Sequence, residues 1–356
     1  LTACGGSGGS TLDQNTSQLN ACNPADASTA SECGTVLIGL TDDDGDFLNY
    51  SVDVVQLTLE TANGRTVEVL PRQTRINFTD YVDLTGETPW MKRMIEAHHE
   101  SAVESGSRIV FAGGFDSIPS DLGVYLLQQT AVERHERPMP RVRMRVRSLR
   151  GSGSGGSMAS MRAITEAVKD DPSVFAELVD PFSLAGGFQG PKQPSGRERI
   201  EEPDFGGWSG PFMMAGINTK VVHRTNALLD HRYGDDLVYD EMILLGPDPG
   251  EESGDMGGDP RLRPGEGPAA EEREAGYYDL VFRGEDGDGH VVEVEVAADL
   301  DPGYGSTSRI IGEAALCLLD TIGPGGCTTP AAALGDVLIE RLPEHAGVRI
   351  DVLEAP

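Results

Sequence analysis

Ser117, Ser120 and Asp121 follow the glycine pair Gly113-Gly114, which itself follows a short apolar run at 108–112. Polar side chains at this spacing sit at the start of a helix that leaves a strand. Free backbone N–H groups point outward there and the strand's carboxyl end opens a crevice, which is where α/β proteins place ligands. The same residue types are ordinary helix caps, so a cap and a ligand site both stand as readings. A second pattern, Gly151-Ser152-Gly153-Ser154-Gly155-Gly156, satisfies G-x-G-x-x-G, and Asp170 or Asp171 lies in range for a ribose. Against a dinucleotide loop, the strand before it carries Arg141, Arg143, Arg145 and Arg147, whereas a central parallel strand is apolar on both faces. The run at 5–9 fits G-x-S-x-G but lacks the strand and helix of a nucleophile elbow.

The elements that must position the first group read clearly. Thr88 serves as N-cap and Pro89 as first helical residue, with Trp90, Met91, Met94, Ile95 and Ala102 on one face and Gly106 closing the helix. Residues 108–112 form a strand, Gly113-Gly114 a sharp turn, and a helix starts near Ser117 with Leu122, Val124, Tyr125, Leu126 and Leu127.

Seven blocks resemble the saccharopine dehydrogenase-like oxidoreductases, whose bacterial branch includes the trans-acting enoyl reductases. They are TGETPW, GGFDSIPSDLGVYLL, SGGSMASM, INTKVVHRTNALL, YGDDLVYDE, DPGYGSTSRIIGEAALCLL and TPAAALGDVLIERL, in order across about 82–352. The resemblance implies NAD or NADP as cofactor and a small-molecule or lipid substrate. It places Gly114, Phe115, Asp116, Ser117 and Ser120 on the cofactor side of a cleft, and Gly156, Ser157 and Tyr304 on the substrate side. It assigns no proton donor. The departure lies at the N-terminus, because residues 1–80 contain no apolar strand followed by G-x-G-x-x-G and a helix.

That region reads differently. Leu1-Thr2-Ala3-Cys4-Gly5-Gly6 is similar to a bacterial lipobox with Cys4 as the lipidated residue, the earlier part of a signal peptide lying outside the sequence. Residues 5–34 suit a flexible tether, in which Cys22 and Cys33 are either a disulfide or two free thiols. Residues 35–83 read as strands, with a hairpin at Ala62-Asn63-Gly64, and resemble the start of an uncharacterised bacterial lipoprotein domain. The two resemblances meet at 80–85, which suggests a chimera. The expected organisation is therefore a tether (1–34), a short all-β segment (35–83), a C-terminal remnant of a Rossmann domain (84–137) and a mixed α+β substrate domain (138–356), an α/β protein overall. Within the last, 247–275 reads as a disordered acidic insertion.

The net charge of −30 divides into −9 over residues 1–86 and −21 over the rest, with only four lysines. Such a surface repels a phosphate backbone and excludes general nucleic-acid binding. Cys317 falls on the apolar side of a helix, Cys327 in a loop, and no C-x-x-C or H-E-x-x-H occurs, so no metal site is expected. The arginine strand offers either a strip for a phosphate or acyl-carrier group, or a half-exposed strand paired with acids. The acids of the GEDGDG turn fit a solvated hairpin better than a calcium loop.

Three functions remain open: an oxidoreductase lacking its phosphate loop, possible as a homo-oligomer, a lipid-anchored binding module at the membrane, or an inactive fusion. The location follows the choice, with anchoring through Cys4 in one case and a cytoplasmic or inner-membrane-associated enzyme in the other. A tight complex of the purified protein with NADPH or NADH selects the first. No complex, with a folded core by circular dichroism, selects the others.

Overall fold

The computed structural model describes residues 50–54, 58–60, 66–68, 74–78, 80–153, 155–248, 254–257, 262–263 and 266–354. Cys4, Cys22, Cys33, the strand expected at 35–40 and the turn at 62–64 lie outside them. The architecture is mixed α/β. Strands β1 (Tyr50–Val54) and β4 (Thr74–Phe78) pair antiparallel, as do β2 (Thr58–Glu60) and β3 (Thr66–Glu68).

A small parallel sheet follows. Strand β5 (Tyr81–Val82), helix α1 (Thr88–Ser105) and strand β6 (Arg108–Val110) form a βαβ unit. The third strand, β14 (Gly326–Thr328), arrives from far along the chain and pairs on the other side of β6. Cys327 is therefore a buried strand residue and not a loop residue. Helix α1 ends as expected at Gly106, which is left-handed, but Glu87 is its cap and Thr88 is a buried first residue. Arg108 ties the sheet together, bonding Asp80 at 2.5 Å and the carbonyls of Leu318 and Thr321.

Helix α2 (Ile118–His135) runs from the end of β6 across a second, larger sheet. It is buried on nearly every side, so it carries Ser120, Asp121, Gln128 and Thr130 inside as well as its leucines. Each of these must find partners; Gln128 does so with both backbone groups of Met139. The large sheet is built from β7 (Arg141–Ser152), β8 (Ile200–Glu202), β9 (Gly207–Pro211), β10 (Val238–Gly246), β11 (Gly254–Gly257), β12 (Tyr277–Glu285), β13 (Val291–Ala298) and β15 (Val348–Leu353). Its order is β15-β13-β12-β7-β10-β9-β8, with β11 beside the far end of β7; β7 runs parallel to β10 and antiparallel to β12. Helices α3 (Gly155–Asp170), α4 (Ser173–Val179), α5 (Ala215–Leu228), α6 (Ala270–Glu274), α7 (Thr307–Asp320) and α8 (Pro330–His345) complete the described chain. None of the described helices is long and apolar enough to cross a membrane.

One core joins α2, α7 and α8 to β7, β12, β13 and β15 through residues such as Leu122, Leu127, Val142, Met144, Phe282, Val294, Ile310, Leu338 and Ile350. The hairpin of β12 and β13 lies where the sequence puts it. The stretch 220–229, apolar enough for either element, belongs to helix α5. Within 247–275 the described residues include β11, along β7, and α6, whose start is capped by Glu272 on the Ala269 N–H.

The arginine strand is the central finding of the sheet. Arg145 is fully buried between Glu202 at 2.5 Å and Asp240 at 2.9 Å, and Arg143 reaches Glu202, Asp204 and Glu285. Arg141 pairs with Asp240, and Arg147 with Asp279 and Glu295. Acids on β8, β10, β12 and β13 let a charged strand occupy the middle of a sheet, which resolves the strip in favour of ion pairing. Removing one partner of a buried pair strands the other charge. Arg145→Ala is expected to cost about 3–5 kcal/mol in urea unfolding, whereas Arg349→Ala, in an exposed pair with Asp299, should change stability by under about 1 kcal/mol. Equal losses would show that burial of the pair is irrelevant.

Candidate functional site at the carboxyl ends of the parallel strands

The residues after β6 turn sharply, and the glycines there are dictated by neighbouring chain. A Cβ on Gly113 would lie 2.5 Å from Val82 Cγ2 and 2.8 Å from the Asp83 carbonyl oxygen; one on Gly114 would lie 2.8 Å from Leu84 Cδ2. Neither glycine has positive φ, so close approach of the β5 end, and not backbone conformation, requires them.

Of the five residues expected on the cofactor side, Gly114, Phe115, Ser117 and Ser120 are buried. Phe115 packs edge-on against Tyr278, ring centroids 4.9 Å apart, and its N–H donates to Thr307 Oγ1 at 2.9 Å. Asp116 alone of the five is partly exposed. Its Oδ1 is buried without a hydrogen-bond partner, and so is the Ser117 hydroxyl.

Behind Asp116 lies a buried polar group that sequence reasoning did not pick out. Glu241 of β10 is fully buried and accepts from the Tyr239 hydroxyl at 2.6 Å and from Asn218 Nδ2 of α5 at 2.8 Å. The Ser120 hydroxyl also bonds to it. Burial pushes Glu241 up to about 7, against the lowering effect of these donors. Burial likewise raises Asp116 to about 7, helped by the nearby carboxylates of Glu241 and Glu87. The signal in the sequence was Asp240-Glu241 set inside the otherwise apolar run VYDEMILL; a buried strand carries adjacent acids only where partners wait on both faces.

Asp121, one turn into α2, is held differently. It accepts from Thr225 Oγ1 at 2.5 Å and from the Ala331 N–H at 2.8 Å, linking α2, α5 and α8, and burial raises it to about 7. Its role is structural. Helix α5 also buries His223, which desolvation lowers to about 4, and Lys220, lowered to about 8 by burial while it donates to the carbonyls of Leu178 and Gly216.

The substrate-side elements meet at the Glu266 carbonyl. The Gly155 N–H, beside Gly156 and Ser157 in the first turn of α3, donates to the Glu266 carbonyl at 3.0 Å. The Tyr304 hydroxyl donates to the same carbonyl at 2.9 Å. Tyr304 sits in a short π-helix (Pro302–Ser306) whose N–H groups Asp301 caps, and Thr307, next in the chain, is the partner of Phe115. This π-helix thus bridges the two expected sides. A separate groove of about 500 Å³, lined by Lys92, Ile95, Asp180, Phe182 and Leu184 among others, shares none of these residues.

The turn does not fit a dinucleotide's diphosphate. Its N–H groups are taken by protein: Gly113 by Asp83, Phe115 by Thr307, Ser117 by Ala112 and Ile118 by Gly114. An acid, Asp116, occupies the place where a phosphate would need positive charge. What the arrangement can do is hold a proton near neutrality on a buried carboxyl beside the turn.

No protein-family profile matches the chain, and no solved structure does. Curated relatives do. A proposed trans-acting enoyl reductase of Mycobacterium tuberculosis is 38% identical over 309 residues, covering 76% of this chain and 73% of that protein. The trans-acting enoyl reductase of Mycobacterium ulcerans is 32% identical over 303 residues (75% and 72%), and that of Mycobacterium bovis 32% over 312 residues (76% and 73%).

The raised carboxyls make stability depend on pH. A folded-state value above the ordinary 3.8 means that folding retains a proton which the unfolded chain releases above about pH 4. The stabilisation is complete below that pH and is lost as pH rises through about 7. Asp121→Asn, which cannot ionise, should therefore gain stability relative to the native chain between pH 4 and 8 in urea unfolding. A gap that stays constant with pH would contradict the assignment.

Proposed function

From the premise that this chain belongs to the trans-acting enoyl reductases, an oxidoreductase family, we propose that it serves reduction of the carbon–carbon double bond of an α,β-unsaturated acyl group. What supports the reading at residue level is the polar turn at the carboxyl end of β6, where burial raises both Asp116 and its neighbour Glu241 to about 7. Such a place suits a reaction that needs a proton at a defined position and little water. A nicotinamide, when bound, supplies a hydride.

The chain's own residues divide the work. Ser120, Tyr239 and Asn218 hold Glu241, and burial, with Glu241 and Glu87 adding to it, raises Asp116. The Tyr304 π-helix and the first turn of α3 both hold the Glu266 carbonyl on the other side. The seat for a cofactor diphosphate belongs to residues other than those of the Gly113–Ser120 turn. The acyl group fits a lipid-derived substrate, and the resemblance to saccharopine dehydrogenase-like enzymes supports the same class.

The test is direct. Purified protein is incubated with NADPH or NADH and a 2,3-unsaturated acyl thioester, and the product is read by mass spectrometry. A gain of two hydrogens in the acyl group, in step with loss of reduced-nicotinamide absorbance, supports the reading. Oxidation of the nicotinamide with the double bond intact, or no reaction with either coenzyme, contradicts it.

A further inference from the structure

Strand β15 (Val348–Leu353) ends the large sheet on one side. It pairs with β13 along its whole length without a register shift, and among the described residues no strand pairs with its outer side. Such an edge offers a row of backbone N–H and C=O groups to another strand. Edges are ordinarily blunted by Pro, Lys, a bulge or a very short strand. The opposite edge obeys this, because β8 has three residues and Pro203 follows it directly. β15 has six residues, regular pairing, and neither Pro nor Lys.

The residues of the strand narrow what can add to it. Val348-Arg349-Ile350-Asp351-Val352 has the same polarity read from either end, with the two charges opposite in sign. Val348, Ile350 and Val352 face the core, whereas Arg349 and Asp351 are exposed on the other face. Antiparallel pairing with a second copy, about a two-fold axis at Ile350, sets Ile350 against Ile350 and Val348 against Val352. On the outer face it sets Arg349 of each copy against Asp351 of the other. Moving the axis by half a residue turns the apolar side chains of one copy to the polar face. Moving it by one residue puts Arg349 against Arg349, or Asp351 against Asp351, and like charges directly opposite are destabilising. One register alone satisfies both faces. Within its own chain Arg349 has an exposed pair with Asp299 at 3.3 Å, and such a pair holds it weakly.

We propose that two copies of this chain join edge to edge through β15 in this register, so that their large sheets run on as one. The interface is isologous, each copy giving the same patch. Strand pairing over residues 348–352 is small beside the roughly 1,200–2,000 Å² of a standard stable complex. The dimer is therefore reversible and separates on dilution.

Sedimentation equilibrium of the full chain tests this. The mean mass should rise from one chain towards two as concentration increases through the micromolar range, and amide exchange at 348–352 should slow in step. Arg349→Glu sets acids against acids and Asp351→Arg sets arginines against arginines, so each variant alone should remain a single chain. Mixed in equal amounts, the two variants place opposite charges in both pairs, and the mass should rise again. A substitution that merely damaged the fold would give no such recovery. A native chain that keeps the mass of one copy throughout overturns the proposal. So does a dimer that survives both reversals, or a mixture that stays monomeric while circular dichroism shows both variants folded. If a variant does not fold, the native chain decides, because a dimer without concentration-dependent protection of 348–352 is not joined through β15.

Discussion

Glu241 is the constraint on which the Gly113–Ser120 turn depends. An ionisable carboxyl placed in the interior costs several kcal/mol unless donors surround it. Its donors come from its own strand (Tyr239), from the first turns of α5 (Asn218) and from the first turn of α2 (Ser120). Satisfying one acid therefore fixes the starts of two helices against the large sheet. The small parallel sheet follows, because α2 leaves directly from β6 through the Gly113–Ser120 turn, and that turn is clamped between the ends of β5 and α7. The position of Asp116 is a consequence of how Glu241 is paid for.

The same device recurs. Asp121 locks α2 to α5 and α8, Arg145 locks β7 to β8 and β10, and Arg108 locks the small sheet to the end of α7. Each is a polar group inside a core, each has partners from several elements, and each would be costly to leave half-satisfied. A chain this acidic uses its few buried cations as fasteners, which leaves the carboxyls without a cation, Asp116, Asp121 and Glu241, holding protons near neutrality. Protonation, not ion pairing, relieves them.

Much of this was legible in the sequence. Helix α1 with its glycine end, the strand, the glycine turn and the start of α2 follow from capping chemistry and periodicity, and the β12–β13 hairpin from alternation about a turn. Gly114, Phe115, Asp116, Ser117 and Ser120 read as one side of a cleft, yet four of the five are buried, because the apolar pattern of α2 cannot reveal that both of its faces are covered. β14 was missed since three residues with no apolar run carry no strand signal; only pairing with β6, more than two hundred residues earlier, makes them one. Glu241 and Asn218 were hidden because the acceptor and its donors lie on different elements, and sequence spacing reports only neighbours on one. The glycines read as a sharp turn needing their conformational freedom, yet neither has positive φ, and they are required by the close approach of Val82 and Leu84.

The most direct test of the account is a co-crystal structure of the chain with an unreactive saturated acyl thioester. The acyl group should lie between the Gly113–Ser120 turn and the Tyr304 π-helix. Density for the thioester in the groove between Lys92 and Phe182, with none at the turn, would contradict it.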